Sequence, residues 1–155
     1  MKLHRTIGKI LKIGTLLGTI GFLCAVLLQI FARFFLESAP SWTEEASRLF
    51  FIYAIAFAAG LALRSNYFVA LDTFYNKFNP NFKKLLNLLT PICTFLLFIL
   101  ILIFAIPLIL LGMDEKSPSM EFPMAVAFCS IAIMAFAICY YSYKDIKSFL
   151  KNQLR

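Results

Sequence analysis

The side chains that could do chemistry in this sequence are few. Each of the four cysteines, Cys24, Cys93, Cys129 and Cys139, lies inside an apolar run, and no two of them form a C-x-x-C pair. The one histidine, His4, lies in a basic N-terminal segment. Disulfide and metal sites need paired cysteines or nearby polar ligands. We therefore interpret the cysteines as small buried hydrophobes and predict no metal site and no cofactor.

Catalytic and ion-carrying groups are also missing from the apolar runs. The sequence has no P-loop, nucleophile elbow or H-E-x-x-H motif. An ionisable residue inside a membrane marks a proton or ion pathway by default, because charge is costly in hydrocarbon. The long runs instead carry uncharged polar residues, namely Gln29, Asn87, Thr90, Thr94 and Ser130. We expect neither an enzyme nor a small drug/proton antiporter.

One polar cluster at residues 41–48 is more distinctive. Ser41 and Glu44 have the S-x-x-E spacing of a helix capping box, and Arg48 follows Glu44 at the i,i+4 spacing of an ion pair. Trp42 and Glu45 share a helix face with Leu49, as an aromatic and a carboxylate would at a membrane interface. The cluster could anchor a partner, or it could serve only as a cap with a surface ion pair.

The elements that position these groups are predicted to be transmembrane helices. Of the 155 residues, 61% are hydrophobic and only 15% are charged, so a soluble fold of this size could not bury the apolar surface. A membrane crossing needs about 20 apolar residues. The sequence predicts an all-α membrane protein, residues 1–155 forming one four-helix domain, with spans at about 13–35, 42–63, 88–111 and 122–143.

Charge predicts the orientation of the spans. The net charge is +7. The basic residues concentrate before the first span, between the second and third, and after the fourth, whereas most acids lie in the other two connections. The positive-inside rule therefore predicts that both termini and the connection at 64–84 lie on the cytoplasmic side of the membrane, which we expect to be a bacterial inner membrane. Because the basic residues lie outside the apolar runs, orientation explains the charge better than binding to nucleic acid.

Two segments are predicted to lie in the membrane surface. Residues 1–12 mix basic and aliphatic side chains, and residues 67–82 place apolar side chains at helical spacing among polar ones. The second segment could instead be a loop that packs on the helices. The third apolar run contains Pro91 and Pro107. We expect one tilted or kinked helix there, with two half-spans joined by a re-entrant turn as the alternative.

Small residues predict close helix packing. Gly14 and Gly18 form a G-x-x-x-G that Gly21 extends, and Ala56 and Gly60 form a second pair with this spacing. Small residues let helices approach closely in lipid. The pattern does not distinguish packing within this chain from packing against a partner.

These residues resemble those of one family, the small membrane subunits of tripartite ATP-independent periplasmic (TRAP) transporters. Residues 41–48 resemble the W-x-E-E-x-x-R start of that family's second helix. Gly60, Arg64 and Asp72 match its glycine, its basic residue and its R-x-x-x-H-x-x-x-D-like segment, although Phe68 stands where histidine is common. Two dipeptides resemble the short polar lead-in to the fourth helix: Ser117-Pro118 and Phe122-Pro123.

The resemblance implies a function and a set of partners. A small subunit of this kind pairs with a larger elevator-type membrane subunit that binds sodium and substrate, and a periplasmic binding protein delivers an organic acid such as a C4-dicarboxylate or a sialic acid. The small subunit looks like a static scaffold in membrane lipid. Its candidate interface and anchoring residues are Trp42, Glu44, Glu45, Arg48, Gly60, Arg64 and Asp72.

Among the candidate residues, we predict that Glu45 and Arg48 hold the outer end of the second helix and that Arg64 with Asp72 holds its inner end. Two other functions stay open. The chain could be a membrane anchor or assembly subunit of another complex, or an autonomous homodimeric transporter.

Overall fold

A computed structural model describes residues 2–35, 40–64 and 79–153 of the chain. They form four α-helices: α1 (Lys2–Phe35), α2 (Trp42–Arg64), α3 (Pro80–Asp114) and α4 (Ala125–Gln153). All four are long and apolar enough to cross a membrane. Within the described ranges the only β-type pairing is an isolated bridge between Lys116 and Pro123. The prediction of an all-helical protein with four helices long and apolar enough to cross a membrane is confirmed for the described residues.

The third and fourth helices differ from the predicted spans in continuity and in starting point. The re-entrant alternative for the third span is wrong, because α3 continues as one helix through Pro91 and Pro107. Each proline removes only one backbone donor, which a lipid-embedded helix tolerates. The fourth helix begins at Ala125 rather than at Phe122, because residues 115–124 fold into a turn closed by the bridge.

The predicted interfacial segments are not confirmed. Residues 2–12 form the first turns of α1 and continue into the first span without a break, since no proline or glycine pair interrupts the helical pattern there. Residues 67–78 of the second segment lie outside the described residues, and its end at 80–82 is already part of α3.

The helices pack side by side in the order α1, α2, α4, α3. Among the described residues, α3 packs substantially on α4 alone, whereas α1 packs mainly on α2 and also meets α4 near Leu11. The inner helices are more buried than the outer ones. Of the most apolar stretch of the inner helix α4, 44% is buried, but only 11% of that of the outer helix α3. Large apolar side chains such as Leu17 and Phe104, each 64% exposed, therefore need lipid or a partner to cover them.

Glycine allows α1 to approach α2 closely. A Cβ placed on Gly18 would lie 2.9 Å from the backbone N and Cα of Ala54, so no side chain fits there. Gly14 and Gly21 face the rings of Phe57 and Phe50 in the same way. The G-x-x-x-G pattern thus serves packing within this chain, which the sequence left undecided.

Candidate functional site at the two ends of the second helix

The carboxylate of Glu45 joins the start of α2 to the loop before α4. Its Oε2 accepts hydrogen bonds from the Ser117 hydroxyl and from the Met120 backbone N–H, the latter at 2.9 Å. Its Oε1 accepts one from the Ser119 N–H at 3.1 Å. Hydrogen bonds to an ionised acceptor are stronger than neutral ones. We refer to Glu45 with these three loop residues as the Glu45 clasp.

The loop at 115–124 is shaped by its own backbone hydrogen bonds. Ser117 N–H donates to Phe122 O at 2.9 Å, and Met124 N–H donates to Glu115 O at 2.9 Å. Glu121 adopts a left-handed conformation with φ of 55°, which is uncommon for a side chain of this kind. The backbone N–H groups of Ser119 and Met120 in this turn point toward α2, and both donate to the Glu45 carboxylate.

The other predicted residues at this end of α2 face outward. Glu44 Oε1 lies 3.2 Å from Arg48 Nη2, with 65% and 71% of the two side chains exposed, so the pair stabilises the fold only slightly. Arg48 thus pairs with Glu44 and not with Glu45, and Glu44 turns toward Arg48 rather than back toward Ser41 as a capping box requires. Trp42 is 44% exposed and available for a membrane interface or a partner.

Sequence reasoning missed three residues that hold α2, namely Thr43 and Ser117 at this end and Tyr53 at the middle of the helix. Thr43 is fully buried and donates its hydroxyl to Pro40 O at 2.8 Å. Tyr53 donates its hydroxyl to Val126 O in the first turn of α4 at 2.6 Å. Ser117 is indicated in the sequence only by the family resemblance. Spacing could have indicated Thr43, because Thr43, Ala46 and Ser47 repeat small residues on one helix face.

Gly60 lies where α1, α2 and α4 meet. A Cβ placed there would lie 2.7 Å from Ala137 Cβ and 3.0 Å from Leu11 Cδ1. Leu11, Ala137 and Tyr141 form a buried cluster at this level, and each of the three is at most 4% exposed. The prediction that Gly60 permits close packing therefore agrees with its place in the fold, and its neighbours here belong to the same chain.

Arg64 ends α2 and connects it to two other helices. Its guanidinium lies against Gly8 of α1, where an added Cβ would overlap the Nη1 atom. The same guanidinium lies close enough to the Tyr141 hydroxyl of α4 to act on it through its charge. We refer to Gly8, Arg64 and Tyr141 as the Arg64 junction. Asp72, the predicted partner of Arg64, lies outside the described residues.

The Glu45 clasp and the Arg64 junction hold helices in place by polar contacts and packing. In the described part of the chain, no three His, Cys, Asp or Glu side chains converge where they could hold a metal ion. The four cysteines are free. The described site residues thus divide into those that contact another helix or the loop before α4, which are Glu45, Gly60 and Arg64, and those that face outward, which are Trp42, Glu44 and Arg48.

Comparison with known proteins agrees with this picture of a membrane-embedded helical subunit. Residues 22–152 match the family model described as "Tripartite ATP-independent periplasmic transporters, DctQ component". The chain is also 22% identical over 151 residues to a Haemophilus influenzae protein described as a TRAP transporter small permease protein. That alignment covers 95% of this chain and 92% of the relative.

Proposed function

Because this chain belongs to the DctQ component family of tripartite ATP-independent periplasmic transporters, we propose that it acts as the static scaffold of a sodium-driven symporter for organic acids. A larger elevator-type membrane subunit binds sodium and substrate and forms a heterodimer with this chain. A periplasmic binding protein delivers the substrate, which is a C4-dicarboxylate or a sialic-acid-like acid. The chain itself is non-catalytic.

The observation that carries the scaffold proposal is the bracing of α2 at both ends. The Glu45 clasp ties its first turns to the loop before α4. At the Arg64 junction its last residue lies against Gly8 of α1 and near the Tyr141 hydroxyl of α4. An elevator domain can move only against a part that does not move with it. A central helix held at two points about 28 Å apart, at 1.5 Å per residue, supports such a fixed role.

Charge supports the orientation that we propose, with both termini in the cytoplasm and the Glu45 clasp on the periplasmic side of the inner membrane. The described inner segments carry Arg5, Lys9 and Lys12 before α1 crosses the bilayer, and Lys147 and Lys151 after α4 has crossed it. Lys and Arg are retained on the cytoplasmic side during insertion. The acids of the clasp and its loop then lie on the opposite side.

Exposed groups at the periplasmic end provide the proposed contact with the large subunit. Trp42, Glu44 and Arg48 project from the braced start of α2, and aromatic and arginine side chains are enriched at protein interfaces. Their fixed position makes them suited to define where the second subunit binds. Glu45, Gly60 and Arg64 contribute indirectly, by holding the helices that carry this surface.

Co-purification and uptake test the proposal together. The tagged chain is isolated from native membranes in mild detergent, and its partners are identified and quantified by mass spectrometry. A large multi-helix permease at about equal stoichiometry is expected. Glu45→Ala combined with Arg64→Ala should lower both recovery of the permease and sodium-dependent uptake. Glu121→Ala with Lys151→Ala is the matched control, because it removes one acid and one base from exposed positions.

Three results would contradict the proposal. Recovery of the chain as a homo-oligomer that alone transports solute in liposomes would indicate an autonomous transporter. A large partner without transport activity would indicate an anchor or assembly subunit. Unchanged assembly and uptake in the Glu45→Ala, Arg64→Ala double variant would refute the structural roles assigned to these residues.

A further inference from the structure

Three basic side chains meet on one patch of α1 at the Arg64 end of α2. The Arg64 guanidinium lies on Gly8, where the missing side chain leaves room for it. Arg5 and Lys12 lie three residues before and four residues after Gly8, and residues at these spacings are neighbours on a helix surface. All three basic side chains are exposed. We refer to Arg5, Lys12 and Arg64 around Gly8 as the Gly8 patch.

The Gly8 patch has no described counter-charge. The ion pair that the described part of α2 forms, between Glu44 and Arg48, lies at its far end. The nearby Tyr141 hydroxyl brings no negative charge. Arg5 and Lys12 are seven residues apart, about 10 Å along the helix, and the Arg64 guanidinium lies between them on Gly8, so the three like charges repel one another. An anion placed between them would relieve this repulsion and would meet three donor groups.

An apolar groove begins deeper in the membrane on the same side of α1. Arg5, Gly8, Lys12, Thr15, Thr19 and Phe22 succeed one another at steps of three and four residues, so they share one helix face. The last three of these residues line a groove of about 240 Å³ between α1 and α2. Its other walls are Phe51, Ala54, Ile55 and Ala58 of α2.

The depth of the groove fits the shape of a phospholipid. Gly8 and Thr15 are seven residues apart, so the groove begins about 10 Å further along α1 at 1.5 Å per residue. The headgroup region of each leaflet is roughly 5–8 Å thick, given a hydrocarbon core of about 30 Å in a bilayer of about 40–45 Å. A phosphate on the Gly8 patch therefore places its acyl chain at the level of the groove.

We propose that this face of α1 binds one anionic phospholipid of the leaflet that contains the N-terminus. Its phosphate is held by Arg5, Lys12 and Arg64, and one acyl chain lies in the groove between α1 and α2. Basic pockets between transmembrane helices are known to hold anionic headgroups. The proposal does not depend on the transported substrate or on the identity of a protein partner.

Native mass spectrometry of the purified full chain tests the lipid site. The chain in detergent is titrated with dioleoylphosphatidylglycerol, with dioleoylphosphatidylcholine, or with inorganic phosphate. Preferential retention of phosphatidylglycerol is expected. Arg5→Gln with Lys12→Gln should weaken its binding roughly 30-fold, since each basic group near a membrane surface contributes roughly a factor of five. Arg5→Lys with Lys12→Arg keeps the charges and should retain binding.

Two further variants separate a specific site from general surface charge. Lys147→Gln with Lys151→Gln removes the same charge from exposed positions on α4 and should leave phosphatidylglycerol binding within about twofold of the parent. Ala58→Phe fills the groove and should weaken lipid binding without changing phosphate binding. Equal losses in the two charge-removal variants, phosphate binding as strong as lipid binding, or an unaffected Ala58→Phe variant would overturn the proposal.

Discussion

Replacing Gly60 with alanine tests whether the helices meet as closely as the structure shows. The added Cβ would lie 2.7 Å from Ala137 Cβ, whereas carbon atoms in contact normally stay about 3.5–4.0 Å apart. The Ala137 methyl is fixed to the backbone of α4 and cannot rotate away. The added methyl would therefore push α2 and α4 apart by about 1 Å in the cluster that contains Leu11 and Tyr141.

The expected loss of stability is small but measurable. Overpacking a well-packed contact costs about 1–3 kcal/mol, and replacing glycine with alanine in a helix recovers about 1 kcal/mol. The net destabilisation of Gly60→Ala is therefore about 1 kcal/mol. For a chain of this length that corresponds to a decrease in Tm of roughly 2–4 °C. Thermal unfolding of the purified chain in detergent, followed by tryptophan fluorescence or circular dichroism, would measure it.

Gly21→Ala in α1 is the matched control, because Gly21 contacts α2 at Phe50, away from the junction at Gly60. Its Cβ would come within 2.7 Å of the Phe50 ring, but Phe50 is 42% exposed and can rotate toward lipid. The control should keep the gain in helix propensity and be at least as stable as the parent. If Gly60→Ala unfolds at the same temperature as Gly21→Ala, or higher, the proposed tight junction of α1, α2 and α4 is wrong.

Three other predictions concern the Trp42 end of α2. Glu45→Gln should accelerate amide hydrogen exchange at residues 119–120 several-fold, because a neutral amide cannot accept all three donors as strongly; Glu44→Gln should not. Tyr53→Phe removes the 2.6 Å hydrogen bond to Val126 O and should lower Tm by about 1–4 °C, from roughly 0.6–1 kcal/mol in lipid; an unchanged Tm would contradict the contact. Glu121→Gly should raise Tm by about 1–2 °C, since roughly 1–2 kcal/mol of left-handed strain at φ 55° is relieved, against roughly 0.5–1 kcal/mol for the extra freedom of glycine in the unfolded chain; a decrease in Tm of more than about 2 °C would contradict that strain.

The internal role of Glu45 changes how the polar cluster at the start of α2 is interpreted. The sequence predicted that Glu45 and Arg48 act together at the outer end of this helix. In the structure Glu45 faces inward to the loop before α4, and Arg48 pairs with Glu44 on the surface. A requirement for Glu45 in the assembled transporter would then reflect the shape of this subunit. Trp42, Glu44 and Arg48 stay the residues at this end with which a partner could make direct contact.

Sequence alone predicted the number, the type and most of the extent of the helices. Hydropathy and the 20-residue length of a membrane crossing identify each span from its own residues. It failed at the start of α4, where residues 122–124 look apolar enough to extend the helix but belong to a turn. It also could not exclude a re-entrant third span, because two prolines in one run are compatible with either a break or a continuous helix.

What the sequence determined by itself is that four of its segments are long and apolar enough to cross a membrane, because length and hydropathy belong to single segments. Its motifs also carry by themselves the resemblance to one family. Only the tertiary structure decided that the glycines of α1 face α2, that Glu45 binds the loop before α4, and that the Arg64 guanidinium lies on Gly8. The two helix ends and the loop involved are far apart in the chain. Which carboxylate reaches which N–H depends on how those segments cross, and no local pattern of residues encodes that geometry.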